Sequence, residues 1–268
     1  MVGKQLLIFD SGVGGLSIFQ EVIKQSHNVS CYYLSDNAYF PYGELEEVKL
    51  IERLTSLLDL FVKKYPVDMI IIACNSASTV ALQSLREHFS IPVVGVVPAI
   101  KPASLETING VIGLIATPAT IERDYTKQLI NQFAQDKKVL NIGSTLLVKF
   151  AEQKLQGKLI DKACLQQVFK PWENLHIAPD TLVLGCTHFP LLKAEINLFF
   201  KGRVKLVDSG EAIANRVAIL LQTETVQNEA NETIFYDAFY TLQDDCQLAL
   251  EPAFLNMGFN SFSLFKCD

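Results

Sequence analysis

Ile70-Ile71-Ile72-Ala73-Cys74-Asn75-Ser76 and Leu182-Val183-Leu184-Gly185-Cys186-Thr187-His188 carry the deciding pattern of this 268-residue chain. Each is a short aliphatic run that stops at a small residue, a cysteine and then polar side chains. Such runs read as buried parallel strands ending at the carboxyl edge of a sheet, where open α/β folds place their ligands. The two cysteines lie 112 positions apart (186 minus 74). The chain therefore offers two matched strand ends, each delivering a thiol towards one crevice.

Outward from these runs, strand-like and helix-like stretches alternate along the whole chain, which predicts right-handed βαβ units and parallel sheets. Strands are expected at 6–9, 31–34, 69–72 and 92–97, with helices at 15–25, 44–64 and 77–88 between them. The long helix has apolar residues at 45, 48, 51, 54, 57, 58 and 61, the three-and-four spacing of one helical face. After Pro98 come strands at 111–115, near 139, at 182–184 and at 204–207, with helices at 119–133, 146–152, 159–169 and 191–200. The remainder is expected to hold a helix at 212–221, a polar loop at 228–231, a strand near 235, a helix near 248 and a last strand at 261–265. The fold class is α/β. Two Rossmann-like domains are expected, the first from residues 1–97 plus 208–268 and the second from 98–207, with the active site in the crevice between them.

Composition narrows the function. Hydrophobic residues make up 49% of the chain and charged ones 19%, ample for packed cores. No apolar run approaches the roughly eighteen residues that span a bilayer, and Met1-Val2-Gly3-Lys4-Gln5 leads into a strand without a signal-peptide layout. A cytoplasmic protein with no membrane partner is expected. Cysteines at 31, 74, 164, 186, 246 and 267 form no dense framework, which fits free thiols in a reducing compartment. A net charge of −6 without a Lys/Arg cluster gives nucleic acid no electrostatic footprint.

A lone buried cysteine usually packs as a small hydrophobe. The repeated polar and hydroxyl context, Asn75-Ser76 after one thiol and Thr187-His188 after the other, argues for more, because a core site needs no such donors. Neither cysteine sits in a CxxC or at zinc-ligand spacing, so no metal is expected. Asp10-Ser11-Gly12-Val13-Gly14-Gly15-Leu16 follows the first strand and opens the first helix. It either brings amides close to an anionic ligand or forms a plain turn capped by Asp10 or Ser11. Ser17 stands where GxGxxG needs its third glycine, and there is no GxxxxGK, so no nucleotide cofactor is expected. Pro41-Tyr42-Gly43 reads as a turn able to aim backbone N–H groups into the crevice, and Asp36 before it as a cap or loop acid. His188 is placed to hold or relay a proton near Cys186. Glu152, taken alone, reads as a solvated acid.

In order along the chain, Phe9-Asp10-Ser11-Gly12-Val13-Gly14-Gly15-Leu16, Pro41-Tyr42-Gly43, Ala73-Cys74-Asn75-Ser76-Ala77-Ser78, Pro92-Val93-Val94-Gly95-Val96-Val97-Pro98, Gly185-Cys186-Thr187-His188-Phe189-Pro190-Leu191-Leu192 and Val207-Asp208-Ser209 resemble the blocks of the glutamate racemases. These belong to the cofactor-independent aspartate/glutamate racemase superfamily, and the likeness runs from Phe9 to about Gly210. The resemblance implies that Cys74 and Cys186 are the two catalytic acid/bases, assisted by Asp10 and His188. It puts Ser11, Pro41, Tyr42, Gly43, Asn75, Ser76 and Thr187 on substrate-binding positions beside those four, with Thr117, Thr120 and Glu152 flanking them. It further implies glutamate as the small-molecule substrate, no cofactor, a D-glutamate product that feeds peptidoglycan assembly in a bacterium, and it leaves a homodimer open. The family usually has Thr where this chain has Ser76, Gly-Asp-Thr where it has Ser35-Asp36-Asn37, Arg in place of Tyr39 and Pro in place of Lys149.

The residue types suit that reaction. Inverting an α-carbon without a cofactor means removing a very weakly acidic proton from one face and returning one to the other, so one group must be deprotonated and its opposite number protonated. A thiol, with an ordinary pKa near about 8.5, can play either part near neutral pH once neighbours tune it. With no arginine clamp in the motifs, hydroxyls, the Asn75 amide and backbone N–H groups are expected to hold both carboxylates. The rival readings are a racemase for aspartate or another amino acid, a non-catalytic protein that binds acidic amino acids, and a thiol hydrolase built on Cys186 and His188. The last leaves Cys74 unexplained.

Overall fold

The computed structural model describes residues 3–173, 175–223 and 233–266. Its elements follow one another as β1 (Lys4–Asp10), α1 (Leu16–Gln25), β2 (Val29–Ser35), α2 (Glu47–Lys64), β3 (Met69–Ile72), α3 (Asn75–His88), β4 (Val93–Gly95) and α4 (Ile100–Glu106). Then come β5 (Val111–Ala116), α5 (Pro118–Glu122), α6 (Asp124–Phe133), β6 (Lys138–Gly143), α7 (Leu146–Leu155), α8 (Lys162–Phe169), β7 (Thr181–Leu184), α9 (Lys193–Phe199) and β8 (Lys205–Val207). The chain closes with α10 (Gly210–Thr223), β9 (Tyr236–Tyr240), α11 (Asp245–Leu248), α12 (Glu251–Asn256) and β10 (Ser261–Leu264).

The strands form two parallel sheets, one of six in the order β10-β9-β2-β1-β3-β4 and one of four in the order β6-β5-β7-β8. Alternation along β1 divides the first core between two faces. Leu6 and Ile8 pack with Phe19 and Val22 of α1 and Val217 of α10. Leu7 and Phe9 pack with Leu50, Leu54, Leu57 and Phe61 of α2 and with Ala81 and Leu85 of α3. The second sheet is covered in the same way, Leu182 and Leu184 joining Leu147 and Phe189 on one face while Val183 meets Ile100 and Ala103 of α4 on the other. No helix among the described residues is long and apolar enough to cross a membrane.

Four local expectations are corrected. The helix expected at 119–133 is two helices, broken where Arg123 turns extended (φ −62°, ψ 136°). Residues 99–110, for which no element is expected, contain α4, seven residues that are too short to show a helical period and carry Pro102 near their start. The helix expected at 191–200 is a 3-10 turn at Phe189–Leu192, with Pro190 in it, followed by α9. The helix near 248 is the pair α11 and α12. The polar loop at 228–231 lies outside the described residues.

Candidate active site

Register brings the two thiols to equivalent points. Phe9 lies opposite Ile72 and Ile115 opposite Leu184. One further ladder bond follows in each sheet, Ala73 N donating to Phe9 O at 2.7 Å and Gly185 N to Ile115 O at 2.7 Å. Each cysteine is the next residue. Cys74 caps α3, which begins two residues earlier than its apolar pattern suggests, so the thiol stands at the positive end of a 14-residue helix. Both cysteines are buried.

Around Cys74 the Ser11 hydroxyl lies 3.9 Å from Sγ. Burial pushes this thiol well up, the charge of Asp10 and the nearby Cys186 add to the rise, and the Ala77 amide and Ser11 pull it back. Cys74 is therefore favoured as the neutral thiol. Asp10 is itself fully buried, accepting from Gly12 N at 2.7 Å and from the Thr187 hydroxyl at 2.9 Å. Desolvation raises its carboxyl to about 6, against the pull of His188, the Gly12 amide and Thr187.

Around Cys186, His188 Nδ1 lies 3.8 Å from Sγ while its Nε2 lies 2.8 Å from Glu152 Oε1. Burial opposes a charge on this ring, but its bonds to Cys186 and Glu152, with Asp10 nearby, hold it well above its ordinary value, so the imidazolium persists. Glu152 is buried rather than solvated, and the same Oε1 accepts from Val13 N at 2.8 Å. That bond ties α7 to the glycine loop. Ser17, at the position where a dinucleotide fingerprint needs glycine, donates to Gly14 O at 2.8 Å and Thr187 O at 2.9 Å. The glycines are required by close approach: a Cβ on Gly12 would lie 2.2 Å from Glu152 Oε1, and one on Gly14 2.4 Å from His188 Nδ1.

On the facing edge, Ser76 Oγ lies 3.1 Å from Thr117 Oγ1 and 3.2 Å from Thr120 Oγ1, and the two threonines bond each other at 2.9 Å. Asn75 Nδ2 is buried and has no hydrogen-bond partner among the described residues. A buried donor of this kind is costly to leave unpaired and is satisfied when a ligand acceptor completes it. Pro41 is half-buried and opens the 3-10 turn Tyr42–Glu44, whose Gly43 packs against Thr117. Among the described residues no three His, Cys, Asp or Glu side chains are grouped so as to hold a metal ion.

A family model described as Asp/Glu/Hydantoin racemase matches residues 16–217. The chain belongs to the Asp/Glu/hydantoin racemase family. Among its relatives in that family, a protein of Vibrio vulnificus (strain YJ016) named glutamate racemase is 48% identical over 260 residues, covering 97% of this chain and 96% of its own. One of Aliivibrio fischeri with the same name is 52% identical over 225 residues, covering 84% of each. The fold superposes on Escherichia coli glutamate racemase, crystallised with L-glutamate and the activator UDP-MurNAc-Ala, with a TM-score of 0.93, 40% identity and 98% of both chains covered.

The structure gathers Asp10, Ser11, Cys74, Cys186, Thr187, His188 and Glu152 into one hydrogen-bonded or contacting group, and Ser76, Thr117 and Thr120 into another. Asp36 is more than a loop acid. Fully buried, it accepts two bonds from Arg53 at 2.9 and 2.7 Å, one from the Thr241 hydroxyl at 2.7 Å and one from the Tyr42 phenol. The phenol of Tyr42 is thus spent on Asp36. Asn37 and Tyr39, departures from the family pattern, belong to the same support. Asn37 Oδ1 accepts from Thr241 N and Leu242 N, each at 2.9 Å, and the Tyr39 ring lies 4.4 Å from the Arg53 guanidinium carbon. Arg53, Thr241 and Ser17 escape the sequence because their partners are 17 to 205 positions away.

Proposed function

We propose that this chain is a glutamate racemase, interconverting L- and D-glutamate by proton transfer between Cys74 and Cys186 without a cofactor. The observation that carries the reading is the matched pair of buried thiols, one just past the last ladder bond of each sheet, within a family of racemases. From L-glutamate, Cys186 takes the α-proton with the His188 imidazolium beside it, and Cys74, resting as a thiol, supplies a proton to the other face. The reverse direction exchanges these parts. Asp10, whose carboxyl is raised into the range where it can exchange a proton near neutrality, returns a proton to Cys74, while Cys186 gives up its proton to solvent as product leaves, the charge of the His188 imidazolium favouring the thiolate that remains.

Substrate carboxylates are held by neutral donors, the Asn75 amide, the hydroxyls of Ser11, Ser76, Thr117, Thr120 and Thr187, and the Pro41-Tyr42-Gly43 turn. Such donors gain strength where water is excluded. Residues 1–97 with 208–268 act as one domain and 98–207 as the other, a division supported by the strands of each sheet falling within those limits. The product is used in the cytoplasm, for peptidoglycan.

Circular dichroism of the purified protein with either enantiomer tests this. Signal from L- or D-glutamate should decay to zero, unchanged by exhaustive chelation, and aspartate should react far more slowly. Activity lost to the chelator and restored by a divalent ion would overturn the cofactor-free mechanism, and aspartate turned over as fast as glutamate would overturn the substrate.

A further inference from the structure

Arg123 sits where α5 and α6 meet, the one extended residue between two helices. The surrounding Ile121-Glu122-Arg123-Asp124-Tyr125 contains neither glycine nor proline, and Glu and Arg are good helix formers. No glycine or proline ends α5 here, and Asp124 suits the first turn of α6, while Arg123 itself reaches a tertiary partner. The Arg123 guanidinium forms an ion pair with Glu47, in the first turn of α2 on the six-stranded half. The Arg123 side chain is only 17% exposed against 58% for Glu47, and its Nε is buried with no hydrogen-bond partner among the described residues. Both ends lie next to the candidate site. Arg123 follows Thr120 by three residues and Glu47 follows Gly43 by four. Between them α5 packs on the Tyr42–Glu44 turn, and a Cβ on Gly43 would come 3.2 Å from Thr117 Cβ.

We propose that the Arg123–Glu47 ion pair clasps the two halves of the molecule over the bound amino acid, which makes Arg123 a positioning residue for the racemisation proposed above, the reading on which this inference rests. The pair touches neither thiol. It acts through the hydroxyl cluster of Ser76, Thr117 and Thr120 and through the Tyr42–Gly43 turn, both of which need the halves in register. With both thiols buried, closure over the amino acid means that the clasp releases and re-forms in each turnover. A surface ion pair as such contributes little. This one has a mostly buried partner and sits where two helices meet.

Two measurements test the clasp, alkylation of Cys74 and Cys186 by iodoacetamide followed by mass spectrometry on the ligand-free protein, and kinetics in both directions. Glu47→Gln and Arg123→Gln should each raise alkylation of both thiols and raise KM for both enantiomers by about fivefold, the scale of one ion pair, with kcat little changed. Arg123→Lys, and the exchange of Glu47→Arg with Arg123→Glu, should recover much of both effects. Glu47 is exposed, so its variant tests the idea even if Arg123→Gln folds poorly. Unchanged alkylation and KM in Glu47→Gln, or an exchange variant no better than the single ones, would overturn the clasp. Should the wild type fail to racemise glutamate while alkylation still follows the pair, the functional reading falls and the clasp stands.

Discussion

Asp10 shows how one residue couples stability to the site. Its carboxyl has an ordinary value of 3.8 and is raised to about 6 in the folded protein, chiefly by burial. A raised carboxyl means that the native state holds the proton more tightly. The stability it contributes is full below about pH 4 and is lost as pH rises through about 6, a swing of about 3 kcal/mol at roughly 1.4 kcal/mol per unit. His188 is also raised, so its contribution is full below its ordinary 6.5 and disappears only as pH rises further. The window from about pH 4 to 6.5 therefore isolates Asp10. Asp10→Asn should gain on the wild type by about 2 to 3 kcal/mol across it, read from urea unfolding. Parallel pH profiles for the two proteins would show that burial does not perturb this carboxyl.

At the scale of elements, the loop between β1 and α1 is tuned to what lies against it. Gly14→Ala would set a methyl 2.4 Å from His188 Nδ1 and 2.6 Å from Thr187 Oγ1, so either the ring or the loop must move. Activity should fall by about a hundredfold or more, with stability reduced by about 1 to 3 kcal/mol. Gly157→Ala is the contrast. Gly157 has φ +79° and open space around it, so this change should cost about 1 kcal/mol of stability through backbone strain and leave kcat/KM alone. An active Gly14→Ala protein would mean that His188 can be displaced at no cost. The same scale shows what can be read from sequence. Continuous aliphatic runs such as Met69–Ile72, and the periodic face of α2, are set by local burial demands and are legible. The ion pair of Arg123 is not, because its partner is 76 positions away. Asp36 was hidden likewise, since a buried acid and a loop acid look alike until Arg53, Tyr42 and Thr241 are folded around it.

For the whole molecule, the paired strand ends made the α/β architecture and both thiols legible, whereas the bonds that close the site were not. Thr187 reaches Asp10 across 177 positions and Glu152 reaches Val13 across 139, contacts that exist only when the two sheets face each other. That arrangement makes the sharpest prediction. Each sheet contributes one thiol, so Cys74→Ala or Cys186→Ala should abolish racemisation in both directions, because every turnover uses one thiol as base and the other as acid. The surviving thiol nevertheless remains a competent base for one enantiomer. With a glutamate analogue carrying a leaving group on the β-carbon, loss of the α-proton is followed by departure of that group, and no second acid is needed. Cys186→Ala should then still process the D-like analogue through Cys74, and Cys74→Ala the L-like one through Cys186. Product appearance followed separately for each enantiomer decides it. If both variants eliminated from the same enantiomer, or either racemised glutamate near the wild-type rate, the thiols would not stand on opposite faces of the substrate.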